Sequence, residues 1–250
     1  RARLLDALLV IAKQNEKGMA VLSWERAKEQ YGVTMPVVRA MEEKGIVKLE
    51  SMRIYRDPLD LMISRSNQKQ EEVKMQTGRD FFLNEEQQLA VQTILKEWDQ
   101  KDKSVYLLHG VTGSGKTEVY MELIDFVRKQ GKQAIFLIPE IALTYQMVLR
   151  FYQRFGSRVS ILHSRMSAGE RYDQYEKAKN GEIDIMIGPR SALFTPFSNL
   201  GIIIIDEEHE ESYKSETVPR YHARETAQRR AEMEGAKLIL GSATPSVESY

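Results

Sequence analysis

A glycine-rich octapeptide that separates an apolar run from a helical run places the strongest constraint on this chain. Residues 110–117 read Gly-Val-Thr-Gly-Ser-Gly-Lys-Thr, after the apolar run 105–109 and before a segment of helical spacing that extends to Gln130. Glycine, four residues and then glycine-lysine-threonine is the pattern of a phosphate loop, whose backbone amides and following helix N-terminus face phosphate groups. A glycine-rich turn is the alternative, but the flanking strand and helix favour a nucleotide site.

The side chains of this loop have distinct expected roles. Lys116 is predicted to reach the β- and γ-phosphates of ATP, and the hydroxyl of Thr117 is predicted to bind Mg²⁺. The glycines permit a tight loop in which backbone amides approach the phosphates closely. The residues that we expect to bind the nucleotide here are Gly110, Thr112, Gly113, Ser114, Gly115, Lys116 and Thr117.

A second apolar run, 202–205, ends in the acidic sequence Asp206-Glu207-Glu208-His209. A continuous apolar run is typical of a parallel strand buried on both faces, and ligand sites in open α/β sheets lie at the carboxyl ends of the strands. Asp206 is therefore predicted to hold Mg²⁺ through its water shell, and Glu207 to orient or deprotonate an attacking water molecule. An acidic pair after a strand is weak evidence alone, but together with the phosphate loop it indicates nucleotide hydrolysis.

From residue 81 onward, apolar strands alternate with helical segments. This βαβ pattern predicts an α/β fold over residues 81–250, a RecA-like P-loop NTPase lobe with a mostly parallel sheet and helices on both faces. The predicted strands are 105–109, 134–138, 159–163, 183–187, 202–205 and 237–240.

The first part of the chain predicts a small winged-helix domain over residues 1–57, followed by a polar linker over residues 58–80. Ser23 and Thr34 are candidate helix caps, and residues 46–50 and 52–56 are predicted to form the hairpin of the wing. Such a module contacts DNA in some proteins and serves as a protein-contact or spacer module in others. Both roles remain open for residues 1–57.

Composition excludes several classes of protein. The chain has 42% hydrophobic and 29% charged residues, which argues against disorder, and no cysteine, which excludes disulfides and thiolate metal sites. No run approaches the roughly 18 apolar residues that span a bilayer, so we expect no membrane segment and a cytoplasmic location. Thirty-six basic residues balance thirty-six acidic ones, so any contact with nucleic acid must come from local patches.

The sequence Gly241-Ser242-Ala243-Thr244-Pro245 follows the last predicted strand. Its hydroxyl groups are expected at the same sheet edge as the phosphate loop and the acidic residues. Taken alone, the Ser-Ala-Thr tripeptide could form a capping turn. Because it follows the phosphate loop and the acidic sequence along the chain, it resembles the Ser-Ala-Thr loop of superfamily 2 helicases. The resemblance implies that Ser242 and Thr244 link hydrolysis to strand movement.

From about Leu83 to its end, the chain resembles one group of superfamily 2 helicases, the primosomal replication-restart helicases. Five strings carry the resemblance, and together they are more specific than the phosphate loop alone. They are Gly110–Tyr120, Pro139–Thr144, Gly188–Phe194, Asp206–His209 and Arg220–Arg224.

The resemblance implies an ATP-dependent DNA helicase that moves 3′ to 5′ and acts at stalled or collapsed replication forks in primosome assembly. Gln87 would read the adenine base, and Tyr213 and Tyr221 would stack on DNA bases. Expected partners are forked and single-stranded DNA, a single-strand DNA-binding protein and primosome loader proteins, in the nucleoid-associated cytoplasm of a bacterium. The residues that the resemblance places on nucleic acid are Thr144, Arg190, Ser191, Tyr213, Lys214, Arg220, Tyr221 and Arg224.

The chain also departs from this family, because it ends at Tyr250, soon after the Ser-Ala-Thr sequence. The family's second lobe, its arginine finger and its zinc-binding cysteines would lie beyond that point, and its amino-terminal DNA-binding domain before Arg1. We therefore expect weak ATP binding and poor hydrolysis from the chain alone. Two other functions remain open: an RNA helicase or duplex translocase, which shares these motifs, and a non-catalytic binding module for DNA or proteins.

Overall fold

The computed structural model describes residues 5, 8, 20, 22, 24–49, 83–100 and 104–246. The chain divides into two compact units, Arg1–Ile54 and Tyr55–Tyr250. The predicted linker over residues 58–80 lies outside the described residues. The predicted domain limits at residues 57 and 81 therefore stay predictions.

The described part of the first unit includes two short helices. They are α1 (Trp24–Tyr31) and α2 (Met35–Glu43), and Thr34 precedes α2 in an extended conformation without a capping hydrogen bond from its side chain. Residues 47–49 have no regular secondary structure, although a strand was expected there. Ser23 and the second predicted strand of the wing lie outside the described residues, so the winged helix stays a prediction.

The second unit alternates strands and helices, as its sequence predicts. Short 3₁₀ turns interrupt the connections at Glu140–Ala142, Gly156–Arg158, Arg190–Phe194 and Glu211–Tyr213. Its regular elements are α3 (Glu85–Lys96), β1 (Val105–His109), α4 (Lys116–Lys129), β2 (Gln133–Leu137), α5 (Tyr145–Phe155), β3 (Val159–Ile161), α6 (Ala168–Lys179), β4 (Ile185–Gly188), β5 (Leu200–Ile205), α7 (Ala223–Glu234) and β6 (Lys237–Ser242).

The six strands form one sheet in the order β1-β6-β5-β2-β4-β3, and all five neighbouring pairs are parallel. The predicted parallel α/β fold is thereby confirmed. The order places β6 between β1, which leads into the glycine-rich loop, and β5, which ends in the acidic residues. The two motifs therefore lie two strands apart at the same edge of the sheet.

Alternate residues of the central strands pack on opposite faces of the sheet. Phe136 and Ile204 belong to one core with α4 and α5, whereas Ile135 and Ile203 belong to a second core that includes three alanines of α7. All four side chains are fully buried, and full burial of such a side chain contributes about 1.5–3 kcal/mol. Burial on both faces explains why these strands are continuous apolar runs in the sequence.

No helix in the described ranges is long and apolar enough to cross a membrane.

Candidate functional site

The glycine-rich loop connects β1 to the first turn of α4. The backbone amide of Gly110 donates to the carbonyl of Ser242 in β6 at 3.1 Å. Gly113 and Gly115 both have φ of 81°, a left-handed conformation that favours glycine. Gly115 is the N-cap of α4, so the positive end of the helix dipole points into the loop.

Two glycines of the loop are in close contact with neighbouring side chains. A Cβ atom on Gly110 would lie 2.9 Å from the Oγ of Ser114, and one on Gly115 would overlap the side-chain amide of Gln87. Either substitution would force the neighbouring side chain to shift, because a real Cβ does not approach so closely, and at Gly115 the left-handed φ adds backbone strain. A tight loop of backbone amides beside a lysine and a threonine fits a phosphate chain with its divalent cation.

The ammonium group of Lys116 lies between the loop and the acidic residues. Its Nζ donates to the carbonyl of Gly110 at 2.8 Å and lies 3.7 Å from Oε1 of Glu207. The side chain is only 9% exposed, and a buried charge is stable only where such partners surround it. The structure thus brings Lys116 and Glu207 together, although 91 positions of sequence separate them.

Asp206 lies beside Lys116 and Glu207 in a largely buried position. Burial raises the pKa of the Asp206 carboxyl, and the charge of Glu207 raises it further, against a hydrogen bond from Tyr120 and the charge of Lys116. The Tyr120 hydroxyl donates to Oδ1 of Asp206 at 2.9 Å. Burial, followed by the charge of Asp206, raises the pKa of Tyr120 well above its usual value, so the phenol stays protonated and donates this bond.

A cavity of about 650 Å³ lies in front of these groups. Residues 112–118 form one wall, and Asn84, Gln87, Asp206 and Glu207 also line it. Arg150 of α5, which the sequence analysis did not single out, completes the lining and forms an ion pair with Glu118. The cavity therefore contains cationic groups, hydroxyls and carboxylates at one sheet edge, as a hydrated metal–nucleotide complex requires.

The side-chain amide of Gln87 connects the start of α3 with the glycine-rich loop. Its Oε1 accepts from the backbone amide of Asn84 at 3.0 Å, and its Nε2 donates to the carbonyl of Ser114 at 3.0 Å. The first bond belongs to a capping box at the start of α3, because the side chain of Asn84 accepts from the amide of Gln87. Gln87 is therefore held at the cavity wall, while recognition of adenine by this residue stays a prediction.

The acidic sequence and the Ser-Ala-Thr sequence are joined by hydrogen bonds. Nδ1 of His209 lies 2.7 Å from Oγ of Ser242, and that oxygen accepts from the amide of Thr244 at 3.1 Å. The same His209 nitrogen lies 3.7 Å from Oε2 of Glu207. A continuous set of contacts thus connects Glu207 with the predicted coupling residues Ser242 and Thr244.

Among the residues predicted to contact nucleic acid, three lie in turns next to the ends of β2 and β4. The hydroxyl of Thr144 caps α5 by accepting from the amide of Met147 at 3.3 Å. Arg190 donates to the carbonyls of Ser212 at 2.9 Å and Lys214 at 2.6 Å, which ties its turn to the turn Glu211–Tyr213. Ser191 follows Arg190, and no described contact tests whether these residues bind nucleic acid.

Two predictions about this surface need correction. Tyr213 cannot stack on DNA bases as predicted, because its ring is 1% exposed in the core and its hydroxyl donates to the carbonyl of Asp206 at 2.7 Å. Arg224 does not project as a free phosphate ligand, since its Nη1 lies 3.3 Å from Oε2 of Glu208 and 2.7 Å from Oγ of Ser246. The buried carboxylate of Glu208 needs this countercharge.

Other members of the predicted nucleic-acid surface remain accessible. Lys214 and Arg220 are exposed, and Tyr221 is half-buried with its ring edge-to-face against Phe194, at 5.2 Å between centroids. Phe194 is 52% exposed, and the sequence analysis had not selected it as a base-stacking residue. An accessible aromatic pair with cations nearby in sequence has the chemistry that base stacking and phosphate contact require.

The fold and the site together define an α/β domain of the P-loop class. A parallel sheet presents the phosphate loop after β1 and the acidic pair after β5 on one cavity. The Ser-Ala-Thr sequence begins at the end of β6, at the same edge of the sheet. The chain belongs to the family described as "Type III restriction enzyme, res subunit", whose model matches residues 80–247.

Curated relatives narrow the relationship. The chain is 43% identical to the replication restart protein PriA of Bacillus subtilis over 246 residues, which are 98% of this chain and 29% of the relative. It is 52% identical to that of Chlamydia trachomatis over 169 residues, which are 67% of this chain and 22% of the relative. These relatives confirm the resemblance to replication-restart helicases, and the chain spans less than a third of their length.

A solved structure, the Hef helicase domain of Pyrococcus furiosus, aligns at 16% identity and a TM-score of 0.45, over 64% of this chain and 34% of that one.

Proposed function

We propose that this chain supplies the ATP-binding lobe of a DNA helicase that restarts replication at stalled or collapsed forks. The observation that carries the proposal is the convergence of Lys116, Asp206 and Glu207 on one cavity beside the phosphate loop. The relatives named as replication restart proteins support the cellular role.

Each residue of the cavity has its own proposed role in ATP hydrolysis. The loop amides and the N-terminus of α4 bind the phosphates, and Lys116 is long enough to neutralise charge on the β- and γ-phosphates. Thr117 and Asp206 would hold Mg²⁺, which offsets the negative charge that the reaction redistributes. Glu207 orients the attacking water and accepts its proton.

The coupling of hydrolysis to DNA movement begins at Glu207. The contacts from Glu207 through His209 to Ser242 and Thr244 give a change at the γ-phosphate a direct route to the end of β6. On the other side, Arg190 joins the turn 190–194 to the turn that contains Tyr213, whose hydroxyl contacts Asp206. The first route thus connects the cavity with the proposed coupling residues, and the second connects it with a turn proposed to bind DNA.

Thr144, Arg190, Ser191, Lys214, Arg220 and Tyr221 form the proposed nucleic-acid surface, with Phe194 added on structural grounds. Contacts to phosphates and base faces do not depend on sequence, as a helicase that tracks any strand requires. Forked or single-stranded DNA is the proposed substrate, with 3′ to 5′ movement, and a single-strand DNA-binding protein and primosome loaders are the proposed partners in a bacterial cytoplasm.

A steady-state ATPase assay tests the proposal, in this chain and in any longer polypeptide that carries it. Single-stranded or forked DNA is expected to stimulate turnover, and Lys116→Ala to reduce it by about 100-fold or more, because the lysine stabilises charge on the transferred phosphate. Lys129→Ala is a matched control in the same helix, since Lys129 is 75% exposed and contacts Asp125.

The outcomes separate the proposed function from its alternatives. Stimulation by RNA and indifference to DNA would identify an RNA helicase instead. Stimulation by duplex DNA without strand separation would identify a duplex translocase. Binding of DNA with no ATP turnover in any polypeptide tested would leave a non-catalytic binding module.

A further inference from the structure

Two tyrosine hydroxyls hold Asp206 from opposite faces of the sheet. Tyr120 of α4 donates to the side-chain atom Oδ1 at 2.9 Å, and Tyr213 donates to the main-chain carbonyl at 2.7 Å. Tyr120 belongs to the core of α4 and α5, whereas Tyr213 belongs to the core of α7. The main chain of Asp206 and the rotation of its carboxylate are thus fixed by separate contacts.

The Tyr120 hydroxyl reaches Asp206 because β6 leaves room for it. A Cβ atom on Gly241 would overlap the Tyr120 hydroxyl, and the same Cβ would lie 3.3 Å from Oδ1 of Asp206. The Tyr120 ring is fully buried and packs against Phe136 at 5.5 Å between centroids. The core therefore determines where the hydroxyl lies, and little freedom remains for the carboxylate that accepts from it.

We propose that Tyr120 is a positioning residue for Asp206, an inference that rests on the proposed ATP hydrolysis. Its hydroxyl fixes Oδ1 of Asp206, and this sets the direction in which the other carboxylate oxygen faces the cavity. Tyr120 lies behind the carboxylate and does not line the cavity itself. Carboxylates that serve a metal site are commonly oriented by such a second hydrogen bond, whose loss costs about 10–100-fold in metal affinity or activity.

The alternative explanation is that the Tyr120 hydroxyl has only a structural role. A buried tyrosine usually finds a hydrogen-bond partner for its hydroxyl, whatever the function of that partner. If Tyr120 only satisfies its own hydroxyl, its loss lowers stability without affecting the metal dependence of nucleotide binding. A binding measurement with and without the metal distinguishes the two explanations, and it does not depend on turnover.

The test is the binding of fluorescently labelled ADP to the 250-residue chain, titrated with and without Mg²⁺, for the wild type and Tyr120→Phe. The variant removes the hydroxyl and keeps the ring that packs on Phe136. We expect metal-free ADP affinity to stay within about twofold, and the gain in affinity that Mg²⁺ provides to fall by about tenfold or more. Tyr106→Phe, which removes a hydroxyl that donates to the carbonyl of Glu97 at 3.3 Å, is expected to change neither.

Each other result overturns the inference in an identifiable way. An unchanged gain from Mg²⁺ in Tyr120→Phe, with a wild type that responds to the metal, overturns the positioning role alone. Equal weakening with and without the metal, accompanied by a lower unfolding temperature, shows a purely structural hydroxyl. A wild-type chain that binds no ADP overturns the proposed function, and the inference with it.

Discussion

Glu207 is held in a backbone conformation that its side chain does not favour. Its φ is 47°, in the left-handed region, where a residue other than glycine is strained by about 1–2 kcal/mol. This turn follows the end of β5 directly and places the Glu207 carboxylate 3.7 Å from Lys116. Strain of this kind is typical of functional sites, because the surrounding structure enforces a position that chemistry requires.

Replacing Glu207 separates the stability of the turn from the chemistry of its carboxylate. Glu207→Gly and Glu207→Gln both remove the charge, but only glycine relieves the strained φ. Glu207→Gly is therefore expected to be more stable than Glu207→Gln by about 1 kcal/mol, with hydrolysis lost in both. Denaturant unfolding of the two variants measures the difference, and equal stabilities would show that the turn is not strained.

At the residue scale, sequence motifs predicted the residues that line the cavity better than the residues that hold them in place. Lys116, Asp206 and Glu207 could be predicted because glycine spacing and an acidic strand end are local patterns. Tyr120 was missed, although a tyrosine four residues into an amphipathic helix needs a partner for its hydroxyl. Tyr213 was misplaced because the family resemblance alone put it on DNA, whereas a 3₁₀ turn directs its ring into the core.

At the scale of elements, the carboxylate of Asp184 connects the starts of β3 and β4 with the end of α4. Asp184, just before β4, accepts from Arg158, just before β3, at 2.5 Å and lies 3.1 Å from Arg128 in the last turn of α4. Burial alone would raise the pKa of Asp184, but the hydrogen bonds and charges of the two arginines outweigh it and hold that pKa below its ordinary value. The ion pairs thus stabilise the ionised form in the folded state.

The pH dependence of stability follows from the sign of this shift. A pKa that is lower in the folded state gives stabilisation that is complete above the ordinary value of 3.8 and is lost as the pH falls below it. Asp184→Asn is expected to lower the free energy of unfolding by about 2 kcal/mol at neutral pH. The difference from wild type should shrink as the pH falls below 3.8. Urea unfolding at several pH values measures this.

The surface pair between Lys129 and Asp125 provides the control. Asp125→Asn removes a pair whose lysine is 75% exposed, and exposed pairs contribute roughly 0.2–1 kcal/mol. A cost for Asp184→Asn no larger than that of Asp125→Asn, or one independent of pH, would contradict the role assigned to Asp184.

The strands themselves could be predicted from sequence, but their order could not. The apolar run 105–109 matches β1, whereas β5 begins at Leu200, two positions before the predicted start, and β6 extends to Ser242. An apolar run indicates that a strand is buried on both faces without indicating its neighbours. The placement of β6 between β1 and β5 depends on packing across the whole sheet, which local patterns do not contain.

At the scale of the whole molecule, every residue that lines the nucleotide cavity lies in the second unit. A shorter chain of residues 81–250 is therefore expected to bind labelled ADP within about twofold of the 250-residue chain, since it keeps every described residue that lines the cavity. Parallel titrations measure this. Weakening by about tenfold or more, in a truncated chain with an unchanged unfolding temperature, would show that residues 1–80 contribute to binding.

The position of β6 between β1 and β5 determines how far the glycine-rich loop lies from the acidic residues at the edge of the sheet. Neighbouring strands lie about 4.8 Å apart, so the loop and the acidic residues emerge about 10 Å from each other. Only long side chains cross such a gap, which explains why a lysine from one side meets a glutamate from the other. Gly241 and Ser242, at the end of β6, lie between the two, and the backbone pairing of β6 with both neighbouring strands sets the distance between the loop and the acidic residues.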